Sequence, residues 1–320
     1  MFRVSRFMEA LRDGTPIPPA PRKRRGQAGP AVIWHPCQDA PTPPARGSEL
    51  DTHEALSLLD QLHATHVRSL ILSGNEPMTR PDFFRIVARA RELGLRVALS
   101  TDGSRLTAMS ALKLAAYRVD YVGIQIEGLQ PTHNHIRRSR HAYQRALRGL
   151  GAARNAGLQV GMHMALNTLN AAELPAIAAL AESENVDRFH LTQAPPADCP
   201  QGGVPCNAPQ QMTLAALEWL FDHVWKRAQK GDAGNFVTSR HAADRVYLLY
   251  WMITRMPNRL PELRERIDRS AATKHAGVLN IDPFGNVRTD TTGLREALGN
   301  VREQRFSDIA DIAARHPRRS

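Results

Sequence analysis

Short apolar segments alternate with helix-like segments along residues 31–192, and this alternation constrains the fold more than any other feature. A strand followed by a helix, repeated along the chain, predicts parallel strands joined by right-handed crossovers. Six such strands form either a doubly wound sheet or an incomplete barrel, and in both folds ligands bind at the carboxyl ends of the strands. The predicted strands are 31–34, 69–72, 96–100, 121–126, 159–166 and 188–192, and the predicted helices are 51–65, 81–93, 106–116, 142–156 and 171–182.

The sequence pattern divides the chain into three parts. Residues 1–30 begin with a helix-like stretch at 5–11 and then become rich in proline, glycine and arginine, so we expect a basic N-terminal arm. Residues 31–200 carry the strand–helix repeat. Residues 201–320 predict helices at 214–229, 242–256, 261–267 and 306–314, with a hairpin of strands 278–281 and 287–289.

Composition excludes several classes of protein. The chain has 320 residues, no apolar run of about 18 residues and no apolar signal core, so we expect neither a membrane span nor secretion. Three cysteines argue against a disulfide framework and favour the cytoplasm. The net charge is +11, but the basic runs 21–25 and 315–319 lack interleaved aromatic residues, so we expect solvated arms and no nucleic-acid partner.

Unusual polar residues stand where the predicted strands end. The run Gly74-Asn75-Glu76-Pro77 follows the second strand, and a glycine there lets the backbone approach a ligand closely. Its free amides and carboxylate suit an ammonium or an amino-acid head group. Further polar residues end the next strands, namely Thr101-Asp102-Gly103, Glu127-Gly128, Asn167 and Gln193.

Together these segments resemble the radical S-adenosylmethionine (SAM) superfamily, whose barrels carry a GGEP turn, an STNG strand end and a GISLDG strand. The resemblance covers nearly the whole chain and is closest to the radical SAM proteins of heme d1 biosynthesis (NirJ). Further matching segments are 31–34, 47–52, 120–123, Thr132-His133 with Arg137-Arg138, 186–189, 236–238, 243–249, 280–287 and 298–303.

The resemblance implies a partial (βα)6 barrel of radical SAM type with a helical and β-hairpin C-terminal extension. It also implies SAM and a [4Fe–4S] cluster as cofactors, and removal of propionate side chains from a tetrapyrrole as the reaction. The implied cofactor-binding positions are Gly74, Asn75, Glu76, Pro77, Ser100, Asp102, Gln125, Glu127 and His163.

This chain departs from the family pattern at the cofactor positions. Between Trp34 and Glu49 the family has a CxxxCxxC loop, whereas here the segment is shorter and holds Cys37 alone. A SAM-cleaving cluster needs three thiolates, so Cys37 as a lone metal ligand cannot hold one. Asn75 replaces the second glycine of the GGEP turn, and Asp102 replaces the asparagine of STNG. Gln125 and Glu127 replace the serine and the aspartate of the GISLDG strand. His163 replaces an arginine that is common on the fifth strand.

We therefore expect no catalytic residue, no bound cluster and at most weak SAM binding. The leading hypothesis is a degenerate homologue that binds a tetrapyrrole precursor or an active NirJ-like paralogue. One alternative is a working synthase with an unorthodox cluster, and another is a partner-binding scaffold unrelated to tetrapyrroles. Net positive charge suits a polycarboxylate ligand.

Two other groups of residues offer alternative sites. Cys37, Cys199 and Cys206 would all lie at the carboxyl ends of strands, where they would hold a rebuilt cluster, although idle thiols are the more usual case. His133, His135, His163 and His190 would ligate zinc or iron. Tyr247, Tyr250 and Trp251 have helical spacing, which favours core packing over a porphyrin-stacking surface.

Overall fold

The computed structural model describes residues 2–15, 30–38, 48–193, 208–239, 243–261, 278–289 and 296–315. Within these residues one sheet has eleven strands in the order β1-β8-β7-β6-β5-β4-β3-β2-β9-β10-β11. The strands are β1 (Phe2–Arg3), β2 (Ala31–Trp34), β3 (Ser69–Leu72), β4 (Arg96–Thr101), β5 (Tyr121–Gln125), β6 (Val160–Leu166), β7 (Arg188–Gln193), β8 (Phe236–Ser239), β9 (Val278–Ile281), β10 (Asn286–Arg288) and β11 (Gly299–Asn300).

Helices connect most of these strands. They are α1 (Val4–Arg12), α2 (Thr52–Ala64), α3 (Phe83–Glu92), α4 (Ala108–Ala116), α5 (Gln130–Ile136), α6 (Ala142–Asn155), α7 (Leu174–Ser183), α8 (Gln210–Gln229), α9 (Ala243–Arg255) and α10 (Phe306–Arg315). None of the helices in the described part of the chain has the length and apolar character of a membrane span.

The six predicted strands are β2 to β7, and each pairs in parallel with the next. Two further strands extend this parallel arrangement, since β8 pairs with β7 and β9 pairs with β2. The antiparallel hairpin of β9 and β10 lies where the sequence predicted it. The predicted partial barrel with a helical and hairpin extension is therefore confirmed.

The two faces of the sheet differ in exposure. In β2 and β3, alternate residues such as Val32, Trp34, Leu70 and Leu72 are fully buried in the core shared with the helices. The residues that alternate with them in both strands are half-buried. Parallel sheets are normally covered on both faces, so a half-exposed face indicates space for a ligand. We call this half-exposed side the inner face.

The first residues of the chain are packed on the sheet. Strand β1 pairs antiparallel with β8, and Val4 and Met8 of α1 are fully buried. The hydroxyl of Ser5 donates to the Ala233 carbonyl and accepts from the Phe236 amide, both at 2.8 Å. The predicted helix at 5–11 is confirmed as α1, and residues 2–12 pack against the sheet. Residues 16–29 lie outside the described residues.

Candidate functional site

Glu76 occupies the centre of a polar site at the carboxyl ends of β3 and β4. Its side chain accepts hydrogen bonds from the Thr101 hydroxyl, from the Asp102 amide at 3.0 Å and from the Met78 amide at 3.0 Å. Glu76 is buried, and Pro77 beside it begins a turn of 3-10 helix. Both carboxyl oxygens of Glu76 are thus held by the protein itself.

The Glu76 turn requires a glycine at position 74. Gly74 has a φ of +109°, and a Cβ atom there would lie 3.2 Å from Nδ1 of His35. Asn75, in contrast, is exposed and has no positive φ, so it causes no backbone strain. The loop can therefore accept asparagine in place of the family's second glycine.

Glu76 and Asp102 form a coupled pair of carboxyl groups. Burial, together with the hydrogen bond and charge of Asp102, raises the pKa of Glu76 to about 8. Burial would also raise the pKa of Asp102, but hydrogen bonds from Glu76 and Ser104 outweigh it and lower that pKa. Near neutral pH the pair therefore holds one proton on Glu76 and one negative charge on Asp102.

A second set of contacts joins the carboxyl ends of β4 and β5. The Gln125 amide donates to the Ser100 hydroxyl at 3.2 Å, and its oxygen accepts from Arg137. Arg137 also forms an ion pair with Glu127 at 2.9 Å, with both side chains mostly buried. We call Glu76, Ser100, Asp102, Gln125, Glu127 and Arg137 the mouth network.

The backbone of Glu127 is fixed by two side chains that the sequence pattern did not single out as partners. Its amide donates to Nδ1 of His133 at 3.0 Å, and its carbonyl accepts from Asn170 at 2.7 Å. His133 is buried, and burial followed by the charge of Arg137 lowers its pKa to about 4. A neutral imidazole therefore anchors α5 to the end of β5.

His163 lies apart from the mouth network. Its ring covers Gly123, where a Cβ atom would lie 2.3 Å from the imidazole carbon Cε1. The ring nitrogen Nε2 is 3.0 Å from the Tyr121 hydroxyl, and the His190 ring packs edge-on with a centroid distance of 4.9 Å. Burial lowers the pKa of His163 to about 4. This residue fills the inner face between β5 and β7 and does not join the other predicted site residues.

The alternative metal sites find no support in the described part of the chain. There, no group of three or more histidine, cysteine, aspartate or glutamate side chains is placed to hold a metal ion. His133 is buried while His135 is exposed, and Cys199 and Cys206 lie outside the described residues. In the aromatic set, Trp251 is buried as core packing predicts, whereas Tyr250 is 52% exposed.

Known proteins resemble this chain in both sequence and fold. A family model described as the radical SAM superfamily matches residues 35–181. The pre-heme d1 synthase of Dinoroseobacter shibae is 31% identical over 322 residues, covering 97% of this chain and 79% of that protein. The chain belongs to the heme d1 family of radical SAM proteins.

Another relative and two solved structures resemble this chain over most of its length. The Fe-coproporphyrin III synthase of Methanosarcina barkeri is 29% identical, covering 82% of this chain and 66% of that protein. The crystal structure of Streptococcus suis SuiB has a TM-score of 0.66 at 14% identity, covering 89% of this chain and 66% of that chain. A structure of anSMEcpe with bound AdoMet has a TM-score of 0.66 at 13% identity, covering 89% of this chain and 81% of that chain. At such identities the two structures show a shared fold alone.

Membership in the radical SAM family implies SAM and a [4Fe–4S] cluster, but the described residues do not fit the cluster. Cys37 is buried three residues beyond β2, and its thiol lies 3.3 Å from the Glu76 carbonyl oxygen. Burial raises the pKa of this thiol, which disfavours the thiolate that iron needs. The whole sequence contains three cysteines, at positions 37, 199 and 206, and they form no CxxxCxxC motif.

The site also fits the amino-acid end of SAM poorly. Both carboxyl oxygens of Glu76 already accept hydrogen bonds from the protein itself, which leaves them fewer positions for an ammonium donor. Arg137, the cation in the mouth network, is already paired with Glu127. Weak SAM binding stays a prediction.

The ends of the segment in which the family has its cluster loop are tied together here. The Arg80 guanidinium donates to the Pro36 carbonyl at 2.8 Å and to the Leu50 carbonyl at 2.9 Å. It also forms a buried ion pair with Asp82 at 2.8 Å. The sequence did not indicate this role of Arg80, because its partners are backbone carbonyls. Any residue type can supply a backbone carbonyl, so no motif marks the contact.

Proposed function

We propose that this chain binds a carboxylated tetrapyrrole of heme d1 formation and does not cleave SAM. The absence of SAM cleavage rests on one observation. The Cys37 thiol is buried against the Glu76 carbonyl, in the segment where the family supplies three thiolates. Reductive cleavage of SAM depends on electron delivery by the cluster, and protein side chains do not replace that chemistry.

Binding of a tetrapyrrole is supported by family membership together with the half-exposed inner face of the sheet. The inner face offers half-buried apolar positions such as Ile33, Ile71 and Ala98, which suit a flat macrocycle. Polar residues of the mouth network lie at its rim. The net charge of +11 favours a polycarboxylate ligand.

We further propose an active, cluster-bearing relative as the partner that performs the chemistry, with the complex in the cytoplasm. Three cysteines in 320 residues accord with a reducing compartment. In this arrangement the present chain holds or delivers the precursor.

Anaerobic reconstitution with iron and sulfide tests the absence of SAM cleavage. We expect less than about one iron per chain and no 5′-deoxyadenosine after addition of SAM and dithionite, since three thiolates are needed per cluster. The D. shibae relative, reconstituted in parallel, is the positive control. Near-stoichiometric iron and sulfide with formation of 5′-deoxyadenosine would establish a working synthase instead.

Titration with coproporphyrin III, which has four carboxylates, tests the binding function. We expect saturable binding with a shift of the main absorption band, and weaker binding at high salt because the attraction is partly electrostatic. The absence of any spectral shift or heat would favour the scaffold unrelated to tetrapyrroles. Co-purification with a cluster-bearing paralogue, tested separately, addresses the partner.

A further inference from the structure

Residues 128–172 contain no aspartate or glutamate, although the chain has 31 acidic residues. The same stretch carries six arginines, at positions 137, 138, 140, 145, 148 and 154. It covers α5, α6 and β6, so it is part of the fold and not a tail. A stretch that has basic residues and no acidic ones creates a positive potential at one place on the surface.

The arginines at the two ends of this stretch are neutralised by the chain itself. Arg137 pairs with Glu127, and Arg154 pairs with Glu184. The four between them form no ion pair with any carboxylate of the described residues, namely Arg138, Arg140, Arg145 and Arg148. Arg138, Arg140 and Arg148 are exposed, so their charge faces solvent.

The turn between α5 and α6, residues 137–141, is held in one conformation by Asn134. The Asn134 carbonyl accepts from the Ser139 amide at 3.0 Å, and its side chain donates to the Arg140 carbonyl at 2.8 Å. The same side chain accepts from the Tyr143 amide at 2.9 Å. Arg145 donates to the Ser139 hydroxyl at 2.8 Å. We call residues 137–141 the basic turn.

The basic turn lies beside the mouth network. Helix α5 begins five residues after β5 ends, and His133 fastens it to the Glu127 amide. Arg137, the first residue of the turn, reaches back to Gln125 and Glu127. Arg138 and Arg140, both exposed, therefore follow within three residues of a side chain that belongs to the mouth network.

We propose that Arg138 and Arg140 bind the peripheral carboxylates of the tetrapyrrole and thereby set which precursors this chain accepts. The inference deepens the proposed function and rests on it. Arginine is suited to this role because its planar guanidinium binds a carboxylate through two parallel hydrogen bonds. A turn that is already fixed loses little conformational freedom when the ligand arrives.

The double variant Arg138→Gln/Arg140→Gln tests this proposal by fluorescence titration with coproporphyrin III and with protoporphyrin IX, which has two carboxylates. We expect the dissociation constant for coproporphyrin III to rise at least about tenfold, with a smaller rise for protoporphyrin IX. The matched control is Arg68→Gln/Arg85→Gln, which removes the same charge from exposed positions before β3 and on α3. The control should change the dissociation constant less than about twofold.

A second variant separates geometry from charge. Asn134→Ala loosens the basic turn without changing the net charge, and we expect a smaller weakening in the same direction. Circular dichroism checks that each variant is folded.

Three outcomes would overturn the inference. If the wild type binds coproporphyrin III and the Arg138/Arg140 variant binds equally well, the basic turn is not the binding surface, while the proposed function stands. If both double variants weaken binding equally, net charge alone is responsible. If the wild type binds neither porphyrin, the proposed function and the inference fail together.

Discussion

The carboxyl groups of Glu76 and Asp102 share one proton in the mouth network. The free energy of unfolding therefore depends on pH through these two residues. The pKa of Glu76 is raised to about 8 by burial and by Asp102, from an ordinary value of 4.5. The folded protein therefore keeps a proton that the unfolded chain releases, and the free energy of unfolding falls as the pH rises from about 4.5 to about 8. Asp102, whose pKa is lowered from 3.8, acts in the opposite direction but only at acidic pH, so it does not change the stability across this range.

Glu76→Gln should remove most of this pH dependence. Glutamine keeps an oxygen that accepts from Thr101 and Asp102 but cannot ionise. Between pH 6 and pH 8.5 we expect the wild type to lose about 2–3 kcal/mol more stability than the variant, measured by urea unfolding at both values. Equal losses in the two proteins would show that Glu76 does not hold the proton.

His133 produces a pH dependence at the acidic end. Its pKa is lowered to about 4 by burial and by Arg137, so the unfolded chain binds the proton more readily. The free energy of unfolding should therefore fall as the pH drops from about 6.5 to about 4. His133→Asn keeps an acceptor for the Glu127 amide without titrating, and we expect it to lose about 1–3 kcal/mol less than wild type between pH 7 and pH 4.5. Exposed His141→Asn is the control, which should behave as wild type in the same urea titrations.

Sequence reasoning predicted part of this site. Glu76, Asp102, Gln125 and Glu127 were expected at one edge because each stands where a parallel strand ends. Glu76 and Asp102 contact each other there, and Arg137 joins Gln125 to Glu127. Arg137 was missed as their partner because its contact depends on α5 turning back toward β5. His163 was placed with the others by analogy, but the gap left by Gly123 lets its ring lie towards Tyr121 instead.

At the scale of single elements, helix α6 has two glycines in very different surroundings. A Cβ atom at Gly149 would lie 2.6 Å from the Gly103 carbonyl oxygen, whereas at Gly151 it would meet nothing within 4 Å. Helix propensity alone favours alanine at both positions. The close contact at Gly149 should reverse that preference, because α6 would have to move away from the loop after β4.

Gly149→Ala should therefore lower the free energy of unfolding by about 1–3 kcal/mol, the usual cost of overpacking. Gly151→Ala, in the same helix, should raise it by about 0.5–1 kcal/mol. Urea unfolding of the two variants beside the wild type gives both values. Stabilisation by both substitutions would contradict the close packing of α6 on the Gly103 loop.

Elements were predicted well where apolar periodicity is regular. The prediction for β2 matches the structure, and α2 begins one residue after its predicted start, with a capping box of Asp51 and Glu54. Helix α5 was missed because its seven residues include Pro131 and two histidines without an apolar repeat. Strand β8 was missed as an element because four residues after a glycine-containing turn carry too weak a pattern, and pairing with β7 decides its conformation.

At the scale of the molecule, the sheet connects segments that the sequence pattern separated. Strand β8 extends the sheet beyond β7, and β9 extends it beyond β2, so residues after 201 pair with both ends of the predicted barrel. Helix α1 from the N-terminus packs against α8, and Met8 is fully buried. The division at residues 30 and 200 stays a prediction, and cooperative unfolding is the property that tests it.

Met8→Ala distinguishes one cooperative unit from separate domains. Truncating a buried methionine should cost about 2–5 kcal/mol. Two single-tryptophan backgrounds, one keeping Trp34 in β2 and the other Trp251 in α9, report on the two sides of the expected boundary. If the sheet makes the chain one unit, Met8→Ala lowers the urea midpoint equally for both reporters, because neither side unfolds without the other. A shift seen only by Trp251, with the Trp34 transition unchanged, would instead mean that residues 31–200 fold independently of the segments packed at the β8 edge.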